Sequence, residues 1–366
     1  MVRAEDINEL LLKLYENHGT DLHVSVGSQP RIRVFGQLKQ LDYAIIDDNN
    51  MKRLLTPLMD ALAISQLNTK GQIDTSYSLR INKSMNIRFR VNLFRQKGSW
   101  TGVFRLLNDK IPDFTSLGLP SSILNLYKKR RGLILVTGPT GSGKSTTLAS
   151  FLHVINENTY KHIITLEDPI EYVHWHLRSI VNQREIGKDC DTFANGLRAA
   201  LREDPDVILI GEMRDLETTE IALQSAETGH LDCSTLHTLG AAETVNRILS
   251  MFPQQSRDQA LSQICAVLEA VVSQQLLPAK DGGYVVAYEF LYKTKEVTSL
   301  IRENKVWELS NYLNSEQAIK DGMRSMDSTL VELYDKGKIT KETALDYAFD
   351  RRGILPKLQK TEVIKK

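Results

Sequence analysis

Residues 133–146 read Leu-Ile-Leu-Val-Thr-Gly-Pro-Thr-Gly-Ser-Gly-Lys-Ser-Thr. An apolar run of buried-strand length leads into a glycine-rich loop, and the loop into residues that open a helix. Gly138, Gly143, Lys144 and Ser145 stand at the spacing of a phosphate-binding loop. The chemistry requires these types. Through Gly138, Pro139, Thr140, Gly141, Ser142 and Gly143 the chain can curl so that successive backbone N–H groups face one anion. The helix beginning near Lys144 adds its positive dipole end. Lys144 supplies a mobile charge for β- and γ-phosphates, and Ser145, followed by Thr146, offers a hydroxyl to Mg²⁺. A glycine-rich turn with no ligand is the bland alternative. The strand before it and the Thr-Thr-Leu-Ala helix after it argue for binding of a nucleoside triphosphate with Mg²⁺.

The rest of the composition narrows the class. A chain of 366 residues predicts two or three domains. With 46 basic and 45 acidic residues the net charge is +1, so no global field points to nucleic acid or anionic lipid. Cys190, Cys233 and Cys265 are far apart, which fits a reduced cytoplasmic compartment and not a cysteine-ligated zinc site. No stretch approaches the ~18–20 apolar residues of a spanning helix, and the N-terminus lacks a signal peptide's apolar core. No direct membrane insertion is expected; any association is peripheral and made through another protein.

Along the chain, Ile7, Leu10, Leu11 and Leu14 predict a helix over about 4–17. Alternating strands follow near 21–26 and 31–35, a helix over 47–66, and strands near 72–80, 86–95 and 100–107. Residues 1–108 thus read as a small α+β domain with a mostly antiparallel sheet, and 109–120, with Pro112, Gly118 and Pro120, as a linker. From 121 to 292 strands and helices alternate, which predicts an α/β parallel sheet with phosphates at the carboxyl ends of its strands. The expected strands are 133–136, 162–166, 207–210, 231–236 and 285–291; the helices between them include 144–156, 192–203, 215–228 and 241–251. Residues 293–366 read as a helical extension ending in a basic tail from Lys357.

A phosphate-binding loop needs carboxylates for the metal's water shell and for the attacking water. Glu212, just past the apolar strand 207–210, stands where a Walker-B acid belongs, with Gly211 in place of the more usual Asp. Glu167, Asp168 and Glu171 crowd the end of another strand. Glu171 suits a water-positioning base, and Glu167 and Asp168 suit metal or network roles; a helix cap or solvated turn is the bland alternative. His230 and His237 bracket the strand 231–236, and His237, at its carboxyl end, could touch a γ-phosphate. Structural hydrogen bonding is the default for either histidine.

Four ordered boxes carry a resemblance over nearly the whole chain. They are the phosphate loop 138–146, Thr165-Leu-Glu-Asp-Pro-Ile-Glu-Tyr172, Gly211-Glu-Met-Arg-Asp215 and Gly229-His-Leu-Asp-Cys-Ser-Thr-Leu-His-Thr238. Val181-Asn-Gln-Arg-Glu185, Asp21-Leu-His23 and Arg88-Phe-Arg-Val-Asn92 add to them. With these the chain resembles the secretion-superfamily (type II/IV secretion) ATPases, and among them the motors that retract type IV pili. The resemblance implies a RecA-like P-loop ATPase core, a smaller N-terminal PAS-like domain, a homo-hexameric ring and an inner-membrane platform protein as partner. It implies Glu171 as the catalytic carboxylate, Glu212 as the Walker-B acid, Arg90 and Arg105 as arginine fingers acting on a neighbour's triphosphate, and His230 and His237 as a phosphate-sensing pair. Glu296-Val-Thr-Ser-Leu-Ile-Arg-Glu303 matches only the second half of an element usual in retraction motors, and Asp232 departs from an otherwise apolar strand. Assembly and secretion ATPases of the superfamily are longer and carry a four-cysteine zinc element absent here. An accessory retraction ATPase is the nearer alternative. A nucleic-acid translocase or a nucleotide-gated scaffold would be of another class; the neutral charge speaks against the first and the intact Glu171 and Glu212 against the second.

Overall fold

The structure, a computed structural model, describes residues 3–82, 85–107 and 110–364. The chain divides into two units, Met1–Lys110 with Pro169–Val173, and Ile111–Asp168 with His174–Lys366.

In the first unit α1 (Ile7–Glu16) buries Ile7, Leu10, Leu11 and Leu14, the face its spacing predicts, and Asp6 caps it by accepting from the Glu9 N–H. It is followed by β1 (Asp21–Ser25), β2 (Arg31–Val34), β3 (Gln37–Gln40), α2 (Asp48–Leu55), α3 (Ala61–Lys70), β4 (Gln72–Asn82), β5 (Met85–Gln96) and β6 (Ser99–Leu106). Among the described residues the strands form an antiparallel sheet in the order β3-β2-β1-β6-β5-β4. The single helix expected over 47–66 is two. Pro57 sits in a 3₁₀ turn at Thr56–Leu58, and Asp60 caps a fresh helix by accepting from the Ala63 N–H. Strand β3 is exposed at every position, so it offered no alternation to read.

Residues 108 and 109, the expected end of the first domain and start of the linker, lie outside the described residues. Beyond them the stretch read as a linker is packed. Phe114 is buried edge-on against Phe151, and Ser150 Oγ donates to the Pro112 carbonyl at 2.7 Å.

The second unit runs β7 (Gly132–Thr137), α4 (Lys144–Asn158), β8 (His162–Glu167), β9 (Ile180–Glu185), α5 (Phe193–Ala200), β10 (Val207–Ile210), α6 (Leu216–Thr228), β11 (Leu231–Leu236), α7 (Ala241–Met251), α8 (Arg257–Val267), β12 (Leu268–Pro278) and β13 (Tyr284–Tyr292). The sheet order is β13-β12-β7-β11-β10-β8-β9, parallel throughout except for β13 at the edge. Alternate residues of each strand feed two cores. Leu133, Leu135, Ile208 and Ile210 pack with Leu197, Leu223, Val245 and Ile264 from α5 to α8. Ile134, Val136, Val207 and Leu209 pack with Leu148, Phe151 and Leu152 of α4. Covered on both faces, β7 and β10 are buried at every position and read as near-continuous apolar runs. This is the α/β, RecA-like core that the sequence predicts.

Strands β9 and β12 were not anticipated. Helix α8 passes into β12 at Val267–Leu268 with no turn residue between them, and Ser273, Gln274 and Gln275 interrupt its apolar pattern. The chain ends in α9 (Lys295–Arg302), α10 (Glu308–Tyr312), α11 (Glu316–Lys320), α12 (Met326–Asp335), α13 (Lys341–Asp346) and α14 (Arg351–Ile364). Met326, Leu330, Ala344, Ile354 and Leu358 of these helices share a core with Leu277 of β12 and Ala287 of β13. The basic segment from Lys357 is thus helical through Ile364; residues 365 and 366 of the expected tail lie outside the described residues.

Candidate nucleotide-binding and hydrolysis site

Parallel strands deliver their carboxyl ends to one edge. Thr137 pairs with Leu236, Ser234 with Ile210, and Ile210 with Leu166. The residues just beyond those ends, Gly138, His237, Glu212 and Asp168, therefore arrive together through topology, although up to 99 positions separate them in sequence.

The phosphate loop joins β7 to α4, and its N–H-rich end is the first turn of a 15-residue helix. Gly138 has φ +143°, and a Cβ there would stand 2.2 Å from the Gln274 carbonyl oxygen and 2.6 Å from Ser142 Oγ. No other residue fits. The contact arises because Ser273 pairs with Thr137 in the sheet, which sets Gln274 beside Gly138. Gln274 is fully buried, and its side chain braces the loop from beneath. Its Nε2 donates to the Ser142 carbonyl at 2.6 Å, and its Oε1 accepts from Thr147 Oγ1 at 2.9 Å. Lys144 is buried, with Nζ donating to the Gly138 and Pro139 carbonyls, both at 2.9 Å. Ser145 is exposed in the first turn of α4.

Glu212 follows the turn at Gly211, which β11 fixes: Thr235 Oγ1 donates to the Gly211 carbonyl at 2.6 Å and the Met213 N–H to the Thr235 carbonyl at 3.2 Å. The Glu212 carboxylate pairs with Arg214 on one oxygen and lies 3.8 Å from His237 Nε2 on the other. Burial holds the His237 pKa below its ordinary value, the Lys144 charge lowers it further, and Glu212 opposes both. Arg214 is held charged by Glu212, with Asp168 adding to the field. Lys144, Glu212, Arg214, His237 and Asp168 thus form one electrostatic group.

Glu167 is anchored in the sheet, where its Oε1 accepts from Thr165 Oγ1 at 2.7 Å and from Gln183 Nε2 at 3.0 Å. Glu171 belongs to the segment grouped with the N-terminal unit. His230 does not join His237. It precedes the amino end of β11, its Nδ1 is 3.0 Å from the Ser225 carbonyl, and its own carbonyl accepts from the Gly132 N–H. A six-residue strand puts the two histidines at opposite edges of the sheet, roughly 20 Å apart. Arg90 and Arg105 lie directly opposite each other on β5 and β6. Arg90 is exposed, and Arg105 Nε is 2.9 Å from Asp21 Oδ1.

Asp232 is fully buried in mid-strand. Oδ1 accepts from Ser225 Oγ at 3.1 Å, Oδ2 has no hydrogen-bond partner, and burial raises the pKa well above its ordinary value. Sequence reasoning missed Gln274 and Arg214 as site residues. The signal for Gln274 was present as a Gln-Gln pair inside an otherwise apolar stretch.

Among the described residues, no group of three or more His, Cys, Asp or Glu is arranged to hold a metal. A hydroxyl at Ser145 and a carboxylate at Glu212 are hard oxygen donors of the kind that hold Mg²⁺ together with substrate phosphates and water. None of the described helices is long and apolar enough to cross a membrane.

The family model described as type II/IV secretion system protein matches residues 2–293. The chain is 40% identical over 347 residues to the type IV pilus retraction ATPase PilT of Pseudomonas aeruginosa, a match that covers 94% of this chain and 98% of that protein. It is 42% identical over 317 residues to a twitching motility protein of Neisseria gonorrhoeae, covering 86% of this chain and 83% of that one. The crystal structure of the pilus retraction motor PilT with bound ADP superposes with a TM-score of 0.88 at 43% identity, over 96% of this chain and 99% of that chain.

Proposed function

The chain belongs to the type II/IV secretion system ATPases, and from that premise we propose that it is the ATP-hydrolysing motor that retracts type IV pili and so powers twitching motility. The observation that carries this reading is likeness from end to end: the match to a retraction ATPase takes in 94% of this chain and 98% of the relative.

In this reading the loop amides and Lys144 bind the triphosphate. Ser145 and Glu212 would hold Mg²⁺, with Asp168 and Glu167 in its surroundings. Bound Mg²⁺ would neutralise charge building on the β- and γ-phosphate oxygens. Glu171 orients the attacking water and accepts its proton. His237, whose charged form is disfavoured by burial and by Lys144, would donate to the γ-phosphate as a neutral imidazole. Arg90 and Arg105 act on the triphosphate of a neighbouring subunit in a homo-hexamer, where such fingers are worth ~10³–10⁵ in rate. The motor works in the cytoplasm, peripheral to the inner face of the membrane, and pushes on an inner-membrane platform protein.

Disrupting the gene in its host tests the reading. Excess surface pili with loss of twitching are expected, restored by the intact gene and not by Lys144→Ala. Cells without pili would instead assign assembly, and unchanged pili with normal twitching would refute the proposal.

A further inference from the structure

Glu289 lies in mid-β13, almost fully buried, and its two carboxylate oxygens serve two different helices. Oε1 accepts from the Ala241 N–H at 2.8 Å, at the start of α7; Oε2 accepts from the Met326 N–H at 3.4 Å, at the start of α12. Helix α7 begins directly behind the loop 237–240 that leaves the nucleotide edge of the sheet, and its N-cap, Gly240, has no side chain to cap with. Helix α12 already has Ser325 as its cap, so the second carboxylate oxygen exceeds ordinary capping needs there. Burial raises the Glu289 pKa against these two donors. A buried carboxylate is a costly device, and here it is held by two backbone donors from different helices.

The surroundings make the link stiff at both ends. The Gly240 N–H donates to Ser273 Oγ at 2.8 Å, and Thr244 Oγ1 ties the Gly240 carbonyl, Thr238 and Thr137 together at 2.7, 2.8 and 3.5 Å. A Cβ on Gly240 would stand 3.1 Å from the Phe349 ring and 3.4 Å from Glu289 Oε1. Phe349 is held in turn by the Asp327 carboxylate of α12, which accepts from the Phe349 and Asp350 N–H groups at 2.8 and 2.9 Å. The start of α12 is locked to β13 through Phe290 and Arg324, which exchange backbone bonds of 2.8 and 3.1 Å.

We propose that Glu289 is a positioning residue that couples the loop 237–240 beside the nucleotide to the C-terminal helices, so that the state of the γ-phosphate is passed into α12. The proposal rests on the reading of this chain as an ATPase. A γ-phosphate contact at His237 shifts the loop, the loop carries the Ala241 N–H, and Glu289 transmits that shift to Met326 because both N–H groups share one rigid carboxylate.

Hydrogen–deuterium exchange on the full chain tests it, comparing ADP with a non-hydrolysable ATP analogue, both with Mg²⁺. In the wild type the analogue should change protection at 237–241 and at 326–330 together. Glu289→Gln keeps the acceptor for Ala241 and turns an N–H donor toward Met326. It should retain the change at 237–241, lose the one at 326–330, and lower kcat about 10-fold with the ADP Kd within about 2-fold. A purely structural role would not split the two segments. Transmission to 326–330 that survives Glu289→Gln overturns the proposal. If that variant does not fold, the wild-type result decides: hydrolysis without a change at 326–330 rejects the coupling alone. Failure of the wild type to bind or hydrolyse ATP would instead bring down the ATPase reading itself.

Discussion

Gln274 and Ser142 are joined across the base of the phosphate loop, the glutamine Nε2 donating to the serine carbonyl at 2.6 Å. The same side chain accepts from Thr147 in the first turns of α4, so one buried amide sets the spacing between loop and helix. Gln274→Leu keeps the volume and leaves the Ser142 carbonyl and the Thr147 hydroxyl without this partner. Each buried group so exposed costs about 1–3 kcal/mol. Because the misplacement falls on the amides that face phosphate, ADP affinity should weaken about 10-fold, near 1.4 kcal/mol. Calorimetric titration with ADP and a denaturant melt check both. An unchanged Kd beside a lowered melting point would confine Gln274 to stability.

Lys144 and Glu212 share one field but have separable jobs. Lys144→Ala removes the cation that neutralises phosphate, and nucleotide binding should be lost. Glu212→Gln removes a charge that pairs with Arg214 and faces His237 at 3.8 Å. ATP should still bind while phosphate release falls about 10²–10⁴-fold, the range for losing a positioned catalytic carboxylate. Binding by fluorescence and turnover by phosphate release separate the two outcomes. Full-rate hydrolysis by Glu212→Gln would remove Glu212 from the chemistry.

The parallel core and the phosphate loop were legible because both-face burial writes unbroken apolar runs, and because the loop needs glycine at fixed places. The convergence of Gly138, Glu212 and His237 followed from strand polarity alone. Gln274 was hidden because it reaches the loop through β12, a strand that no turn residue announces. The pairing of His230 with His237 came from a motif, and a motif does not record that six extended residues separate the two. Pro57 splits α2 from α3 and was passed over because the apolar spacing continues across it. Asp232 stood out in the sequence, and the structure supplies its surroundings: Ser225 donates to one oxygen, and the other is buried without a hydrogen-bond partner.

Asp232 has its folded pKa raised by burial above the unfolded carboxylate value. Between those two values the folded state binds one proton more than the unfolded state, so stability falls as pH rises, by up to about 1.4 kcal/mol per pH unit. Asn at this position keeps an oxygen for Ser225 and carries no proton linkage. Asp232→Asn should therefore melt at a higher temperature than the wild type, with the gap widening by a few degrees as pH rises above the ordinary carboxylate value. Scanning calorimetry at several pH values checks it. A gap that stays constant with pH would mean that Asp232 is not a buried acid.

Arg90 and Arg105 are cross-strand neighbours, and Arg105 is oriented by Asp21, whose carboxylate also accepts from Thr20 Oγ1 at 2.8 Å. If they act on a neighbour's triphosphate, two inactive variants should restore each other in a mixed ring. Lys144→Ala subunits keep intact arginines, and Arg90→Ala/Arg105→Ala subunits keep an intact phosphate loop. In an equimolar mixture with random assembly, about one interface in four pairs a good loop with good arginines. Activity near a quarter of the wild-type value is expected, against almost none for either variant alone. The recovered rate should rise with total protein concentration, because the site is complete only in the assembly. A mixture that co-assembles and stays inactive would place the arginines outside the shared site, leaving Arg105 to its bond with Asp21.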